Sequence, residues 1–543
     1  MKKFYMTSAA ALLGMIVLSA GAAAMTGSGS PEDPYTVADA SDFSAFAAAV
    51  AAGNATGNYV QTADIDFASA SVKPIGTETA PFSGTYDGAG YTLSSFSSPV
   101  ASSSSGVFGF LKDAYVHDLH VSGVTINGTV SFGGIAATVQ GTGVIENCTV
   151  DMTLKASTSS TPLYACGGGI AGKVGEEAKI VGCETNVTMT TIGTTYTPFI
   201  FCVGGIAGEN KGTVDKCTAN GAMTAVSKTF LVCVGGIVGE NLGAVSGCVS
   251  NTAMKATVSV ESAYAYLGGI VGYNNGGTIT RTVNYGTVTG NGKSPYPCYV
   301  GGITGYNSNG TVSISKNSAE MAGTASLGGG IAGVNFGYEG AANIENCLSV
   351  GNISMSSSVS GGLVGDNATS AHSDSAVSLV SSLYTGSKAI VGLEEQSDGT
   401  SYTVEAAYAT DMLGETLRNV SSYAGFENEA WIFRGDIGRL PELFVVMDEE
   451  KPELRIAGTG KDKVMFAAYA PDGDLAGTDL VVIAFYKENR LTGAKVVSVS
   501  DIEGIAAKSS AVASGEYDNI KLLPFASLET LKPSALGVVS DAD

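Results

Sequence analysis

The residue types that carry out most enzyme chemistry are sparse in this 543-residue chain. Its three histidines, His117, His120 and His372, form no H-E-x-x-H zinc motif. Glycoside hydrolysis requires paired carboxylates, and elimination in polysaccharides requires Arg or Lys beside bound Ca²⁺ on one outer face. Glu209 and Glu240 share one register of the repeat described below, but few other carboxylates lie in that repeat. The residues therefore predict no catalytic site.

An internal repeat organises most of the chain. The tripeptide Gly-Gly-(Ile/Leu) occurs eight times at intervals of 28–36 residues. Its third residues are Ile135, Ile170, Ile206, Ile237, Ile270, Ile303, Ile331 and Leu363. Each unit is rich in Gly, Thr, Val and Ser and has no apolar stripe with a 3.6-residue period. Short strands separated by Gly or Asn turns are therefore favoured over helices.

The repeat length indicates how the strands are arranged. About 33 residues hold three short strands and three turns, which predicts triangular coils in an all-β, right-handed parallel β-helix. Stacked coils place equivalent residues about 4.8 Å apart. Six asparagines lie four residues after the repeat Ile or Leu: Asn210, Asn241, Asn274, Asn307, Asn335 and Asn367. We expect them to form a structural ladder, because each amide can hydrogen-bond to neighbouring turns.

Nine cysteines follow the same repeat and form two columns. One column lies 11–16 residues after the repeat Ile: Cys148, Cys183, Cys217, Cys248 and Cys347. The other lies four residues before it: Cys166, Cys202 and Cys233, with Tyr266 and Tyr299 in the next two coils and Cys298 one residue out of register. No CxxC zinc pair occurs. We interpret both columns as stacked small apolar side chains with free thiols, with disulfides as the alternative.

The first 24 residues have the pattern of a secretory signal peptide. Lys2 and Lys3 precede an apolar run, Ala9–Leu18, and Ala22–Ala24 supply small residues at a cleavage site. The run is shorter than the roughly 20 residues that span a bilayer, and no second run of that length follows. We expect a secreted or cell-surface protein that has no transmembrane segment once residues 1–24 are removed.

The chain is strongly acidic, with 50 acidic and 28 basic residues and a formal net charge of −22. Loss of Lys2 and Lys3 leaves 26 basic residues and a net charge of −24. Such a surface repels phosphate backbones, so we expect no nucleic-acid partner. High solubility is the simplest meaning of the charge, and Ca²⁺ binding is the alternative; we expect no other cofactor.

A short helix is predicted ahead of the repeats. In the segment Ser41–Ala52, Phe43, Phe46 and Val50 fall on one helical face, and Gly53 ends the pattern. Each coil of a β-helix buries its apolar side only against neighbouring coils, so the first coil needs a cover. We expect this helix to cap it.

From Asp33 to Asn367 the chain carries, in order, Asp33–Pro34–Tyr35, Asp64–Ile65–Asp66, Pro74–Ile75–Gly76, Phe82–Leu93, Gly106–Gly109 and then the Gly-Gly-Ile units. This order of motifs resembles that of the GLUG-motif β-helix proteins of bacterial surfaces. Trp431 and Leu440–Leu443 resemble the segment that closes such helices. The resemblance implies an adhesin-like β-helix over residues 33–445, in which Asp64, Asp66 and Asp87 are structural.

The composition changes after Pro452. Strand-like runs separated by Asp472–Gly473, Asn489–Arg490 and Gly515–Glu516 predict a small β-sandwich over residues 461–543, joined by a linker at 446–460. The segment Tyr517–Pro533 resembles an accessory domain found on exported proteins of Gram-positive anaerobes. The Trp-Asp pair of that domain is replaced here by Phe525–Ala526.

Two classes of function remain open. The favoured one is an adhesin-like binding or structural protein that is not an enzyme and recognises a surface glycan or a protein. The alternative is a β-helix polysaccharide lyase or glycoside hydrolase acting on extracellular glycans, which a cluster of carboxylates on adjacent coils would support. A passive stalk is a third interpretation. Sugar subsites usually present exposed Trp, and this chain has one, Trp431.

An apolar stripe is the candidate contact surface. Side chains of a strand alternate between its faces. If the cysteines four residues before the repeat Ile point inward, the other parity points outward: Leu163, Ala165, Phe199, Phe201, Phe230, Val232, Ala263, Ala265, Tyr296 and Cys298. We predict that Phe199, Phe201, Phe230 and Val232 bind a ligand or a second copy of the chain, unless a loop from the preceding segment covers them.

Overall fold

The computed structural model shows an all-β protein whose larger part is a parallel β-helix. It describes residues 25–98, 104–128, 130–158, 164–193, 200–227, 231–260, 263–293, 296–324, 326–356, 359–369, 376–380, 382–384, 391–395 and 401–405, and after these only strands between residues 431 and 540. The predicted signal peptide, residues 1–24, lies outside this set. Among the described residues, no helix is long and apolar enough to cross a membrane.

Each coil passes through four parallel sheets, so the predicted triangular coil of three strands is wrong. Sheet 1 contains Tyr35–Val37, Asn58–Gln61, Thr85–Asp87, Tyr115–His117, Val144–Glu146, Lys179–Val181, Thr213–Asp215, Ala244–Ser246, Thr278–Thr280, Thr311–Ser313, Ala341–Glu345, Ala376–Val380 and Ser401–Glu405. Sheet 2 contains Ile65–Asp66, Thr92–Ser94, His120–Gly128, Thr149–Thr158, Glu184–Gly193, Thr218–Ser227, Val249–Ser250, Ala253–Val258, Val283–Asn284, Val288–Asn291, Lys316–Asn317, Met321–Thr324, Leu348–Ser349, Ile353–Ser356 and Leu383–Tyr384.

The third and fourth strands of each coil lie on either side of the Gly-Gly pair. Sheet 3 contains Ser104–Ser105, Ser131–Gly133, Tyr164–Gly168, Ile200–Gly204, Leu231–Gly235, Tyr264–Gly268, Cys298–Gly301, Ser326–Gly329 and Val359–Gly361. Sheet 4 contains Phe108–Lys112, Ala136–Gln140, Ala171–Val174, Ala207–Asn210, Val238–Asn241, Val271–Asn275, Thr304–Ser308, Ala332–Gly337, Val364–Thr369 and Val391–Glu395. The Gly-Gly pair is therefore the corner at which the chain leaves sheet 3 and enters sheet 4.

One apolar core runs along the inside of the coils, and the eight repeat Ile and Leu side chains in it are completely buried. The helix Ala40–Ala51 closes its N-terminal end, with Phe43, Phe46 and Val50 buried. Asp39 caps this helix by accepting hydrogen bonds from the Ser41 and Asp42 backbone amides. The predicted capping helix is confirmed.

The Gly-Gly corner has no room for side chains. A Cβ atom on Gly268 would lie 1.8 Å from the carbonyl oxygen of Val271. A Cβ atom on Gly269 would lie 2.1 Å from the carbonyl oxygen of Gly302 and 2.3 Å from Cγ of Asn284, on the opposite wall of the core. Close approach of backbone at a bend is a standard reason for glycine. The corner therefore points into the helix and nearly touches sheet 2.

A third glycine lets sheets 3 and 4 fold towards each other on the outside. A Cβ atom on Gly272, two residues after the repeat Ile270, would lie 2.6 Å from the backbone nitrogen of Val234, in the sheet 3 strand of the preceding coil. The seven glycines at this position approach sheet 3 equally closely. The corner is therefore re-entrant, and the outer faces of the two sheets form the walls of a concave groove.

The six repeat asparagines lie in the sheet 4 strands, and their amides form a continuous buried ladder. Each donates from Nδ2 to Oδ1 of the next, over 2.8 Å from Asn210 to Asn241, 2.9 Å from Asn241 to Asn274 and 2.7 Å from Asn274 to Asn307. The two remaining steps, to Asn335 and Asn367, are both 2.8 Å. Most also donate to a turn carbonyl of their own coil, as Asn274 does to Gly277 at 2.9 Å.

The strands described after residue 452 form two antiparallel sheets, which is the arrangement predicted for the C-terminal β-sandwich. One contains Glu453–Gly460, Lys463–Ala470 and Gly504–Ala511, and the other contains Arg490–Ser498, Leu480–Lys487, Asn519–Ser527, Lys532–Pro533 and Val539–Ser540. The strand Glu453–Gly460 falls inside the segment interpreted as a linker, so that interpretation is wrong for these residues: they pair with Lys463–Ala470. Ahead of both sheets, Trp431–Ile432 pairs with Glu442–Leu443.

Replacing Asn241 or Asn274 with Leu should lower the free energy of unfolding by about 1–3 kcal/mol, because each change leaves buried ladder partners unsatisfied. Chemical denaturation followed by circular dichroism measures the change. Asn251→Leu is the matched control, since Asn251 is exposed and bonds to Asn220 at the surface. Equal stability of all three variants would show that the ladder contributes nothing.

Candidate functional site

The outer faces of sheets 3 and 4 meet in one groove, which we call the corner groove. Its sheet 3 wall consists of Tyr164, Cys166, Ile200, Cys202, Leu231, Cys233, Tyr264, Tyr266 and Tyr299. Its sheet 4 wall consists of Lys173, Glu209, Glu240, Tyr273, Tyr306, Phe336 and Asp366. The apolar members near the three cysteines form a cluster of their own, separate from the core.

The predicted contact stripe has the wrong parity. Phe201 is 4% and Val232 2% exposed, both belong to the core, and the Phe201 ring lies 6.1 Å from that of Phe132. Phe199 and Phe230 lie outside the described residues. The error arises at the corner, where the second glycine and the repeat Ile both face inward. If alternation is extended from the Ile back through that corner, each sheet 3 side chain is therefore assigned to the wrong face.

The N-terminal half of the corner groove is polar. Glu209 and Glu240 occupy the same register on neighbouring strands, and both residues are less than a tenth exposed. Oε1 of Glu209 lies 3.0 Å from Nζ of Lys211, and Oε2 lies 3.8 Å from Nζ of Lys173. The Lys173 ammonium also lies 4.9 Å from the centre of the Tyr164 ring. These charges make a compact network across the sheet 3–sheet 4 corner.

The second carboxylate of this half is bound by neutral donors. Glu240 accepts hydrogen bonds from the Tyr164 hydroxyl and, over 3.2 Å, from Nδ2 of Asn275, and the Cys202 thiol lies 3.5 Å away. No ion pair to Glu240 is present among the described residues. Its negative charge is therefore stabilised by dipoles in contact with it and by the Lys211 ammonium at longer range.

The C-terminal half of the groove is aromatic, and its rings are partly exposed. Tyr266 of sheet 3 packs edge-on against Tyr273 of sheet 4 at 5.4 Å and stacks on Tyr306 of the next coil at 4.9 Å. Tyr299 contacts Tyr306 at 5.7 Å, and Tyr306 contacts Phe336 at 6.2 Å. These distances and angles are typical of favourable aromatic pairs. We call these five rings the aromatic platform.

Burial sets the protonation state of the groove. It raises the pKa of the Cys166 and Cys202 thiols well above the ordinary value, so both stay protonated at neutral pH. Burial, followed by the Glu240 carboxylate, raises the pKa of Tyr273 to about 12. A protonated, buried thiol is a poor nucleophile, so these cysteines are not arranged for covalent catalysis.

The other cysteine column lies inside the helix at the corner between sheets 1 and 2. Each of its thiols points at the carbonyl two residues earlier, as Cys248 does to Ser246 over 3.1 Å. The Cys217 amide lies 3.4 Å from the Cys248 sulfur, and Thr282 and Ser315 form the equivalent contact in later coils. The interpretation as purely apolar packing is therefore incomplete, because Thr and Ser hydroxyls take over the same hydrogen-bonding position.

The N-terminal carboxylates singled out in the sequence hold turns. Asp64 accepts from the Thr92 amide at 2.8 Å, Asp66 from Ala68 at 2.8 Å and Asp87 from Ala89 at 2.7 Å. Within the described part of the chain, one group of three residues has metal-ligand spacing, Asp87 with His117 and Asp118. Its carboxylates are solvent-accessible and Asp87 is already used by a turn, so we assign no site there.

Sequence reasoning missed the groove, although a signal for it existed. The residue three positions after the repeat Ile or Leu is Lys173, Glu209, Glu240, Tyr273, Tyr306, Val334 or Asp366 in successive coils. A column of large polar and aromatic side chains beside small core residues indicates an outward-facing surface. No family model matches this chain, and a search of curated proteins finds no similar one.

All nine cysteines are buried and none is in a disulfide. In denaturant without reductant, we therefore expect a thiol reagent to label nine sites per chain. In the native state labelling should be slow even at pH 8, because burial raises the pKa of thiols such as Cys347 to about 12. Mass spectrometry counts the labels. One label per chain in denaturant would reveal four disulfides and contradict the free-thiol assignment.

Proposed function

We propose that this chain is an adhesin-like protein of the cell surface or medium that binds an extended glycan chain along the corner groove and does not cleave it. The observation that carries the proposal is the aromatic platform, a row of partly exposed rings on the concave face of a rigid helix. The signal-peptide pattern and the resemblance to bacterial surface proteins support export.

The platform suits a polymer of sugar rings. Pyranose rings present apolar C–H faces that pack on aromatic rings, while their hydroxyls need polar partners at the edges. Along sheet 4, Tyr273, Tyr306 and Phe336 follow one another at 5.7 and 6.2 Å, so rings lie on three successive coils. Exposed aromatic surface of this kind is a common mark of a binding site.

The polar half supplies the complementary hydrogen-bonding groups. The Lys173 and Lys211 side chains are 33% and 46% exposed, while the Glu209 carboxylate between them is 8% exposed. The buried carboxylate holds both ammonium groups in place without a ligand. Binding groups that are ordered in advance lose less entropy when a ligand arrives.

A glycoside hydrolase or lyase is the second candidate, and the pairing of Glu209 with Glu240 on adjacent coils is the observation that favours it. Both carboxylates are already engaged, Glu209 by two lysines and Glu240 by Tyr164 and Asn275. A general acid or nucleophile needs a carboxylate directed at the substrate. We therefore favour binding without cleavage.

Tyr306→Ala should weaken binding to any glycan recognised by the protein about tenfold or more, because Tyr306 contacts four other platform rings. A glycan array followed by calorimetry measures this loss. Tyr285→Ala is the matched control: Tyr285 is 49% exposed and outside the groove.

Unchanged affinity of the folded Tyr306→Ala variant would contradict the assignment of the groove. Release of new reducing ends or of unsaturated sugars from the bound glycan would instead establish the enzyme alternative. A melting curve for each variant shows whether the helix remains folded, which is expected because Tyr306 packs outside the core.

A further inference from the structure

The aromatic platform is flanked by carboxylates on both sides along the helix axis. One register position recurs on five successive strands of sheet 4. It is occupied in turn by Glu240, Tyr273, Tyr306, Val334 and Asp366. Glu240 and Asp366 are four coils apart, which is about 19 Å at the usual spacing of parallel strands. A ligand that covers the platform therefore runs from one carboxylate to the other.

The charge of this part of the groove is negative. The Glu209 carboxylate is paired with Lys211 and Lys173, whereas the hydrogen-bond partners of Glu240 are all neutral; Lys211 acts on the Glu240 charge only at longer range. A charge that is shielded from water and has no cation in contact with it projects its field into the adjacent cleft. The chain as a whole carries a net charge of −22, which adds to the attraction for cations at long range.

The rings also favour a positive ligand. Tyrosine faces attract ammonium groups through the ring quadrupole. These hydroxyls are neutral near pH 7, and burial moves the pKa of Tyr273 and Tyr299 further up, to about 12. The neutral tyrosine rings can make cation–π contacts with a cationic ligand, and the carboxylates at either end can make ionic contacts with it. These groups follow one another at the spacing of neighbouring coils.

Resting on the proposed glycan binding, we propose that the ligand is an amino-sugar polymer whose amines are free and protonated. An ammonium group on a sugar that stacks on Tyr306 or Tyr273 lies within the field of Glu240 or Asp366. Acidic polysaccharides are disfavoured by the same charges. Neutral glycans lack the ionic contact but keep the stacking.

The test compares two oligosaccharides that differ only in acetylation, N-acetylglucosamine hexamer and glucosamine hexamer. The intact protein should bind the glucosamine hexamer at least tenfold more tightly at pH 6, where its amines are protonated. This preference should shrink as salt rises from about 50 to 500 mM, since screening weakens ionic contacts. Calorimetry at both salt concentrations gives the ratio of affinities, and polygalacturonate serves as the acidic ligand.

Combining Glu240→Gln with Asp366→Asn should reduce that ratio about tenfold. Glu345→Gln changes the net charge at an exposed site on sheet 1 and should leave the ratio unaltered. Equal affinity for the two hexamers, or tighter binding of polygalacturonate, overturns this inference while leaving glycan binding in place. Failure of every glycan on the array to bind overturns the proposed function itself.

Discussion

The structure depends on one steric constraint, the absence of space for a Cβ atom at the Gly-Gly corner. The corner backbone reaches across the core to the side chain of Asn284 and its equivalents on sheet 2. This inward bend narrows the helix, and one completely buried Ile or Leu per coil packs in the core beside the corner. The same bend brings the outer faces of sheets 3 and 4 together. One constraint thus produces both a thin, closely packed core and a concave outer surface.

Two columns of stacked polar side chains, the asparagine amides and the cysteine thiols, are buried inside the helix with the apolar core. Buried polar groups are tolerated when they are hydrogen-bonded. The asparagine ladder and the thiol column form hydrogen bonds between coils, so these bonds depend on stacking. Asn210 begins the ladder beneath Val174, and its Oδ1 atom has no hydrogen-bond partner. Stability is therefore shared along the helix.

Much of the fold follows from spacing in the sequence, whereas the groove does not. A column such as Asn241 above Asn274 is visible because equal positions stack, and Phe43, Phe46 and Val50 reveal the cap by helical periodicity. The predicted outward stripe has the wrong parity because strand alternation does not continue through the Gly-Gly corner, where the backbone reverses it. Phe201 and Val232 point into the core because of the bend at the Gly-Gly corner, which is a feature of the folded chain and not of the local sequence pattern. The four-sheet coil was missed for the same reason, since glycine alone does not distinguish a corner from a turn.

At the corner, Tyr273 and Tyr306 face outward, whereas Phe132 and Phe201 face the core. Hydroxyl-radical footprinting of the intact native protein tests this orientation directly, because oxidation rates follow the exposure of each side chain. Tyr273 and Tyr306 should be oxidised readily, and Phe132 and Phe201 should be protected. Oxidation of Phe201 as fast as that of Tyr306 would contradict the re-entrant corner and, with it, the groove.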